Sequence, residues 1–231
     1  MDKNIDAKRQ LLDPISTICR LVSLNFKPVN TKIAIYNHVV VLQEPNMSQS
    51  VIRYIYGDAR ENISVIYSAI IRFIKWYLIP TRNKSNNTSD EESKNYMIYL
   101  EKLVIYLCSG FKILQRTYKF GNTVISLQYY INILNESVNG KFTDEMVPDC
   151  IENDEELDDS GNLIDYNKIK RLWDFGKVKD ICELYDKCFE AVNNNEINKE
   201  TKIESYLLAA DNLISSSEIG FRELVKSGNK G

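Results

Sequence analysis

The sequence predicts a mainly α-helical, bundle-like domain with one β-hairpin near residues 31–43. Apolar residues recur every three or four positions over long stretches, which is typical of amphipathic helices. One short region is instead rich in β-forming residues. Hydrophobic residues make up 44% of the 231 residues and charged residues 26%. That composition supplies a sizeable core and excludes a chain that is disordered throughout.

The first helix is predicted to begin at Asp13-Pro14 and to end by about Phe26. An Asp side chain can accept hydrogen bonds from the free amides of the first turn, and proline at the first helical position loses no bond. Pro28 disfavours helical backbone at the residue before it. The sequence therefore predicts both ends of this helix.

A β-hairpin is predicted around Asn37-His38. Two runs of β-forming residues, 31–36 and 39–43, flank this two-residue turn. The edges of such a hairpin are open to pairing with another chain unless they are covered.

The strongest helical pattern lies between Glu61 and Ile79. Its few polar residues fall three or four positions apart and form one narrow stripe, which predicts a mostly buried helix. The side chains predicted to pack inside are Ile66, Ile70, Ile74 and Tyr77. Arg72 and Lys75 lie within an apolar run that is too short for a bilayer, so no membrane span is expected. Pro80 is predicted to end the helix, and the polar stretch after it is predicted to be a surface loop.

Four further apolar stripes have helical spacing. The first contains Leu100, Leu103, Val104, Leu107, Phe111, Leu114 and Tyr118. The second contains Val124, Leu127, Ile131, Leu134 and Val138, and ends at Gly140, a residue suited to closing a helix. The third, with a break near Gly176, contains Ile169, Leu172, Ile181, Leu184, Cys188 and Val192. The last contains Ile203, Leu207, Ala210, Ile214, Ser217, Phe221 and Leu224.

Charge divides the chain into unlike parts. Residues 1–140 hold 17 Lys and Arg against 11 Asp and Glu, whereas residues 141–231 hold 12 against 21. We therefore predict a basic helical part over 1–140, an acidic loop over 141–165 and acidic C-terminal helices over 166–231, packed together as a single domain. The alternative is that the acidic loop recruits a basic partner. The overall charge of −3 argues against capture by nucleic acid or by an anionic membrane.

The motifs of common enzymes and cofactor sites are missing from the sequence. The five cysteines form no CxxC pair and His38 is the single histidine, so a zinc site lacks its ligands. The glycine-rich phosphate loops and the GxSxG elbow of serine hydrolases do not occur. The carboxylates Asp13, Asp58 and Glu61 are predicted to be helix caps rather than acid–base groups. We expect no enzymatic activity and no cofactor.

The acidic loop holds the candidate partner-binding residues. These are Asp154, Glu155, Glu156, Asp158 and Asp159. The stretch that starts at Glu156 has the alternating oxygen side chains and turn glycine of a calcium loop, but Asn167 stands where the closing bidentate carboxylate is needed. No metal is therefore expected there.

Ten tyrosines lie in or beside the helices of the first two thirds of the chain. Three roles are open to them: core edges, which we favour, protein interfaces, and stacking on single-stranded bases. The ten are Tyr54, Tyr56, Tyr67, Tyr77, Tyr96, Tyr99, Tyr106, Tyr118, Tyr129 and Tyr130.

Residues 12–78 resemble the N-terminal part of uncharacterised proteins encoded by nucleocytoplasmic large DNA viruses, the giant viruses. The segments that carry the resemblance are Leu12-Asp13-Pro14, Phe26-Lys27-Pro28, Thr31-Lys32-Ile33 and Gln43-Glu44-Pro45, followed by Gln49 and Arg53. Residues 116–134 look similar more loosely. The resemblance implies a viral protein and indicates no chemistry.

Together these observations favour a protein that works through its surfaces. We expect a non-enzymatic structural or interaction protein, a component of the virion, such as a minor capsid protein, or of the virus factory in the host cytoplasm. Its partners are expected to be viral structural proteins or a host factor rather than nucleic acid. The alternative is a regulatory module that captures a host or viral protein through the acidic loop.

Overall fold

A computed structural model describes residues 13–27, 69–87, 89–117, 131–141, 173, 175–194 and 197–227. These residues are mainly helical, as predicted, and they include no strand. The β-hairpin predicted near residues 31–43 lies outside them and stays a prediction.

Six helical segments make up the described part of the chain. They are α1 (Pro14–Ser23), α2 (69–87), α3 (Glu91–Thr117), α4 (131–138), α5 (Phe175–Asn193) and α6 (Lys199–Ser227). Helix α5 packs along α6 and against α3, while α1 packs against both α3 and α6.

Helix α1 begins and ends where the sequence predicts. The Asp13 carboxylate accepts a hydrogen bond from the Ser16 amide at 3.1 Å, and Pro14 occupies the first turn. A 3₁₀ turn over Leu24–Phe26 follows the helix, and Lys27 then has extended backbone, as a residue before proline prefers.

The prediction that Pro80 ends a helix is wrong, because α2 continues through Pro80 to Asn87. Within α2, residues Ile79–Asn87 are α-helical, and the five residues before them, Ile74–Leu78, form a π-helical turn. In this turn the Ile79 amide donates to the Ile74 carbonyl. This wider turn relieves the clash that a proline ring makes with the carbonyl one α-helical turn earlier. Much of the predicted surface loop is therefore helical.

Helix α4 closes at Gly140, as predicted. Gly140 has a φ of +74°. Its amide bonds to the Ser137 carbonyl at 3.2 Å, and the Lys141 amide bonds to the Glu136 carbonyl at 3.0 Å. This is the Schellman arrangement, which requires left-handed backbone at the glycine.

One hydrophobic core joins described residues from all six segments. Ile70, Ile74 and Tyr77 of α2 are at most 1% exposed, which confirms the predicted inner face of that helix; Ile66 lies outside the described residues. Trp173 and the inner faces of α5 and α6 enter the same core as α1 and α3. Among the helices described, none has both the length and the apolar character needed to cross a bilayer.

Candidate functional site

Arg20 of α1 is a buried cation that faces α6. Its side chain is 3% exposed and contacts two carboxylates and a hydroxyl. One guanidinium nitrogen donates to Asp211, and another donates to Glu218 at 2.9 Å and to Ser215 at 3.2 Å. Burial alone lowers the pKa of Arg20, but Glu218 and Asp211 outweigh it and raise the pKa overall. Arg20 therefore stays charged and ties α1 to α6.

Asp13 is a cap that is also buried. Its Oδ2 atom accepts hydrogen bonds from the Ser16 amide, from the Ser16 hydroxyl and, at 2.6 Å, from Nε1 of Trp173. The residue is 3% exposed, and burial raises the pKa of its carboxyl to about 6. Asp13 thus connects the first turn of α1 to Trp173, two residues before α5.

A third polar cluster joins α3 to α5. The Asp186 carboxylate accepts hydrogen bonds from the Tyr106 hydroxyl and, at 2.8 Å, from the Lys102 ammonium. The hydrogen bond that Lys102 donates to Asp186 raises the pKa of Lys102. Burial, and then the hydrogen bond that Tyr106 itself donates to Asp186, raise the pKa of Tyr106. Lys102 and Asp186 are each 37% exposed, so this pair is screened by water.

Three buried thiols lie on the inner faces of α1 and α5. Burial raises the pKa of Cys19 well above its ordinary value, and those of Cys182 and Cys188 to about 12. The Tyr185 hydroxyl, also buried, donates to the Cys19 carbonyl at 2.6 Å. Because the thiolate is the reactive form of cysteine, burial that raises these pKa values favours the unreactive, protonated form.

The five acidic residues predicted to bind a partner all lie outside the described residues. They are Asp154, Glu155, Glu156, Asp158 and Asp159. His38, Asp58 and Glu61 lie outside as well, whereas Asp13 is the helix cap that was predicted. The described helices hold no group of three or more side chains suited to a metal ion.

Sequence reasoning missed the Arg20 cluster. Its signal was present in the spacing, because Asp211, Ser215 and Glu218 lie four and three residues apart and share one face of a helix. On α1, Arg20 is a charged residue within a largely apolar stretch. What the pattern did not supply was the pairing of these two faces, which are about 190 residues apart in the chain.

Comparison with known proteins places the chain among viral proteins. It is 30% identical to "Uncharacterized protein L729" of Acanthamoeba polyphaga mimivirus over 178 residues, which are 77% of this chain and 78% of that relative. The chain belongs to this giant-virus protein family. Family membership confirms the resemblance to proteins of large DNA viruses. No protein-family model and no solved structure matches the chain.

Proposed function

We propose that this giant-virus family member is a non-enzymatic structural or interaction protein, a component of the virion or of the virus factory. The observation that carries the proposal is the Arg20 cluster. Arg20 is the kind of buried, charged group from which active sites are built, yet its contacts with Asp211, Ser215 and Glu218 hold two helices together. The buried thiols of α5, whose pKa values are raised, support the same conclusion.

Particle composition tests this proposal directly. Virus particles purified on a density gradient and treated with protease are compared by quantitative mass spectrometry with the cytoplasm of infected cells. A constant ratio of this protein to the major capsid protein across gradient fractions is expected for a virion component, and enrichment in isolated factories for a factory component. Uniform distribution in the infected cytoplasm, with neither enrichment, contradicts the proposal.

The second candidate function is a regulatory module that captures a host or viral protein through the acidic loop. The observation that favours it is the run of carboxylates from Asp154 to Asp159, whose mutual repulsion a basic partner relieves. Partner capture of this kind falls steeply as salt concentration rises.

Charge reversal distinguishes the two roles open to the acidic loop, which are binding a basic partner and packing on its own chain. Replacing its five acidic residues by lysine is expected to abolish capture of a basic partner without lowering the melting temperature. A lower melting temperature with capture intact indicates instead that the loop packs on its own chain. The matched control reverses five exposed helical carboxylates, Glu136, Asp180, Glu183, Glu190 and Glu204, and is expected to retain capture.

A further inference from the structure

The two oxygens of the Asp13 carboxylate have unequal surroundings. Oδ2 accepts three hydrogen bonds, two from Ser16 and one from Trp173. Oδ1 is buried and, within the described residues, has no hydrogen-bond partner. Capping and the Trp173 contact therefore account for one oxygen and leave the other as an unsatisfied buried acceptor, which is costly when the group is ionised.

The groups around Asp13 come from several elements. Tyr77 of α2 is 1% exposed, and among the described residues its hydroxyl also has no partner. The charge of Asp13 reaches this tyrosine and adds to the effect of burial in raising the pKa of Tyr77. Glu218 of α6 repels the ionised carboxyl. On α1 itself, Ser16 bonds to Asp13, and the charge of Asp13 reaches the buried thiol of Cys19. Arg20, seven residues along the helix, is paired with Asp211 and Glu218.

Two effects on the carboxyl compete. Burial and the Glu218 charge favour its neutral form, whereas the bonds from Ser16 and Trp173 favour its ionised form. Burial is the largest of these effects, and it raises the pKa of Asp13 from an ordinary 3.8 to about 6.

We propose that Oδ1 of Asp13 is a reversible proton-binding site whose occupancy sets how firmly Trp173 is held to α1. A proton taken from solvent binds Oδ1, the carboxylate oxygen that accepts no hydrogen bond from the described residues. The same proton removes the charge from Oδ2. Because a hydrogen bond to an ionised acceptor is about twice as strong as one to a neutral acceptor, the Trp173 bond weakens. Acidification therefore neutralises the buried carboxyl and weakens the hydrogen bond that holds Trp173 near the start of α5.

Tryptophan fluorescence measures this site without any knowledge of the protein's function. The chain has two tryptophans, so a Trp76→Phe variant reports Trp173 alone. Its emission is recorded between about pH 3 and about pH 8, a range that spans the ordinary and raised carboxyl pKa values. We expect one transition with its midpoint at a pH of about 6. Absence of a transition in this range overturns the proposal.

Three variants in the Trp76→Phe background assign the transition. Asp13→Asn keeps an oxygen for capping and is expected to abolish it. Glu218→Gln is expected to move the midpoint to lower pH, because a repelling charge is lost while an acceptor for Arg20 remains. His38→Gln is the control, since an ordinary histidine titrates in the same range. A transition that persists in Asp13→Asn, or that disappears in His38→Gln, contradicts the proposal.

A second measurement avoids dependence on the Asp13→Asn variant folding. The carboxyl carbon of Asp13 in the otherwise natural chain is followed by NMR with labelled aspartate. A midpoint near 6 is expected. A midpoint in the ordinary range for aspartate, around 4, overturns the proposal.

Discussion

At the scale of single residues, the buried charge of Arg20 serves helix packing. Arg20 is 3% exposed, while its partners Asp211 and Glu218 are 28% and 14% exposed. Removing Arg20 leaves two carboxylates without their cation, and Glu218 has little water around it. The loss therefore exceeds what the ion pair contributes by itself.

Arg20→Met is expected to destabilise the fold by about 3 kcal/mol, since breaking a buried pair costs roughly 3–5 kcal/mol and Asp211 retains some access to water. Denaturant unfolding followed by circular dichroism measures the change. The control is Lys179→Met, which removes the same charge from the exposed pair with Glu183 and is expected to change stability by less than about 0.5 kcal/mol. Equal effects of the two variants contradict a packing role for Arg20.

Gly110 of α3 permits a close approach that a larger residue prevents. A β-carbon at this position overlaps the side chain of Asn25, whose amide donates to the Tyr106 carbonyl at 2.7 Å. Gly110→Ala is therefore expected to lower stability by about 1 kcal/mol, the contribution of a typical hydrogen bond, because Asn25 must move. In an Asn25→Ala background the same change is expected to stabilise α3, because alanine is a better helix former than glycine. A double-mutant cycle by urea unfolding shows whether the sign reverses; an unchanged sign contradicts the steric explanation.

At the scale of elements, helix α2 shows why a strong apolar pattern predicts burial better than it predicts a boundary. Its inner face is buried as the periodicity indicates, yet it continues past Pro80 because a π-helical turn precedes the proline. A π-turn widens the helix locally, and no residue in the sequence marks it. Polar composition after Pro80 suggested a loop, whereas the chain stays helical to Asn87.

Ile70→Ala tests the burial of α2. Ile70 is fully buried in the shared core, so its truncation is expected to cost about 2–5 kcal/mol through lost burial and the cavity left behind. Ile98→Ala on α3 makes the same chemical change at a side chain that is 51% exposed, and a cost below about 1 kcal/mol is expected there. Thermal unfolding of both variants provides the comparison. A cost below about 0.5 kcal/mol for Ile70→Ala places α2 at the periphery.

At the scale of the whole molecule, basic and acidic parts of the chain meet in the described residues. Arg20 with Asp211 and Glu218, and Lys102 with Asp186, link residues 1–140 to residues 141–231. The acidic loop lies almost wholly outside the described residues, so its position relative to this body stays a prediction. The ion pairs that link the two parts join side chains on helices that pack in one core.

Stability of the whole molecule is expected to fall as pH rises through the titration of Asp13. The folded state holds the proton to a pH of about 6, whereas an unfolded aspartate releases it near 3.8, so folding takes up a proton between these values. This contribution is greatest below the unfolded value and is lost as pH passes the folded value; it amounts to about 3 kcal/mol at 1.36 kcal/mol per pH unit. Urea unfolding of the natural chain and of Asp13→Asn over this range checks the sign. A pH dependence that is identical in both proteins rules out Asp13 as its source.

The sequence by itself determined the local features of this protein. Spacing predicted the buried faces of α2 and α3, although Val192, which shares the stripe of α5, is 47% exposed. Asp13-Pro14 and Gly140 predicted two helix ends, and the resemblance in residues 12–78 predicted the viral family. These features depend on neighbours in the chain, or on similarity that the sequence shows directly. Capping and periodicity require contacts only within a few residues.

Tertiary structure alone decided which polar residues are buried together. Asp13 with Trp173, and Arg20 with Asp211 and Glu218, are pairs separated by 160 to 198 residues. A single sequence shows which helix faces are apolar but not which faces pack together. Burial and neighbouring charges shift the pKa of a side chain only once those faces have packed. The raised pKa of Asp13 and the ion pairs of Arg20 with Asp211 and Glu218 therefore exist only in the folded chain. Both depend on burial, which results from packing between distant parts of the sequence.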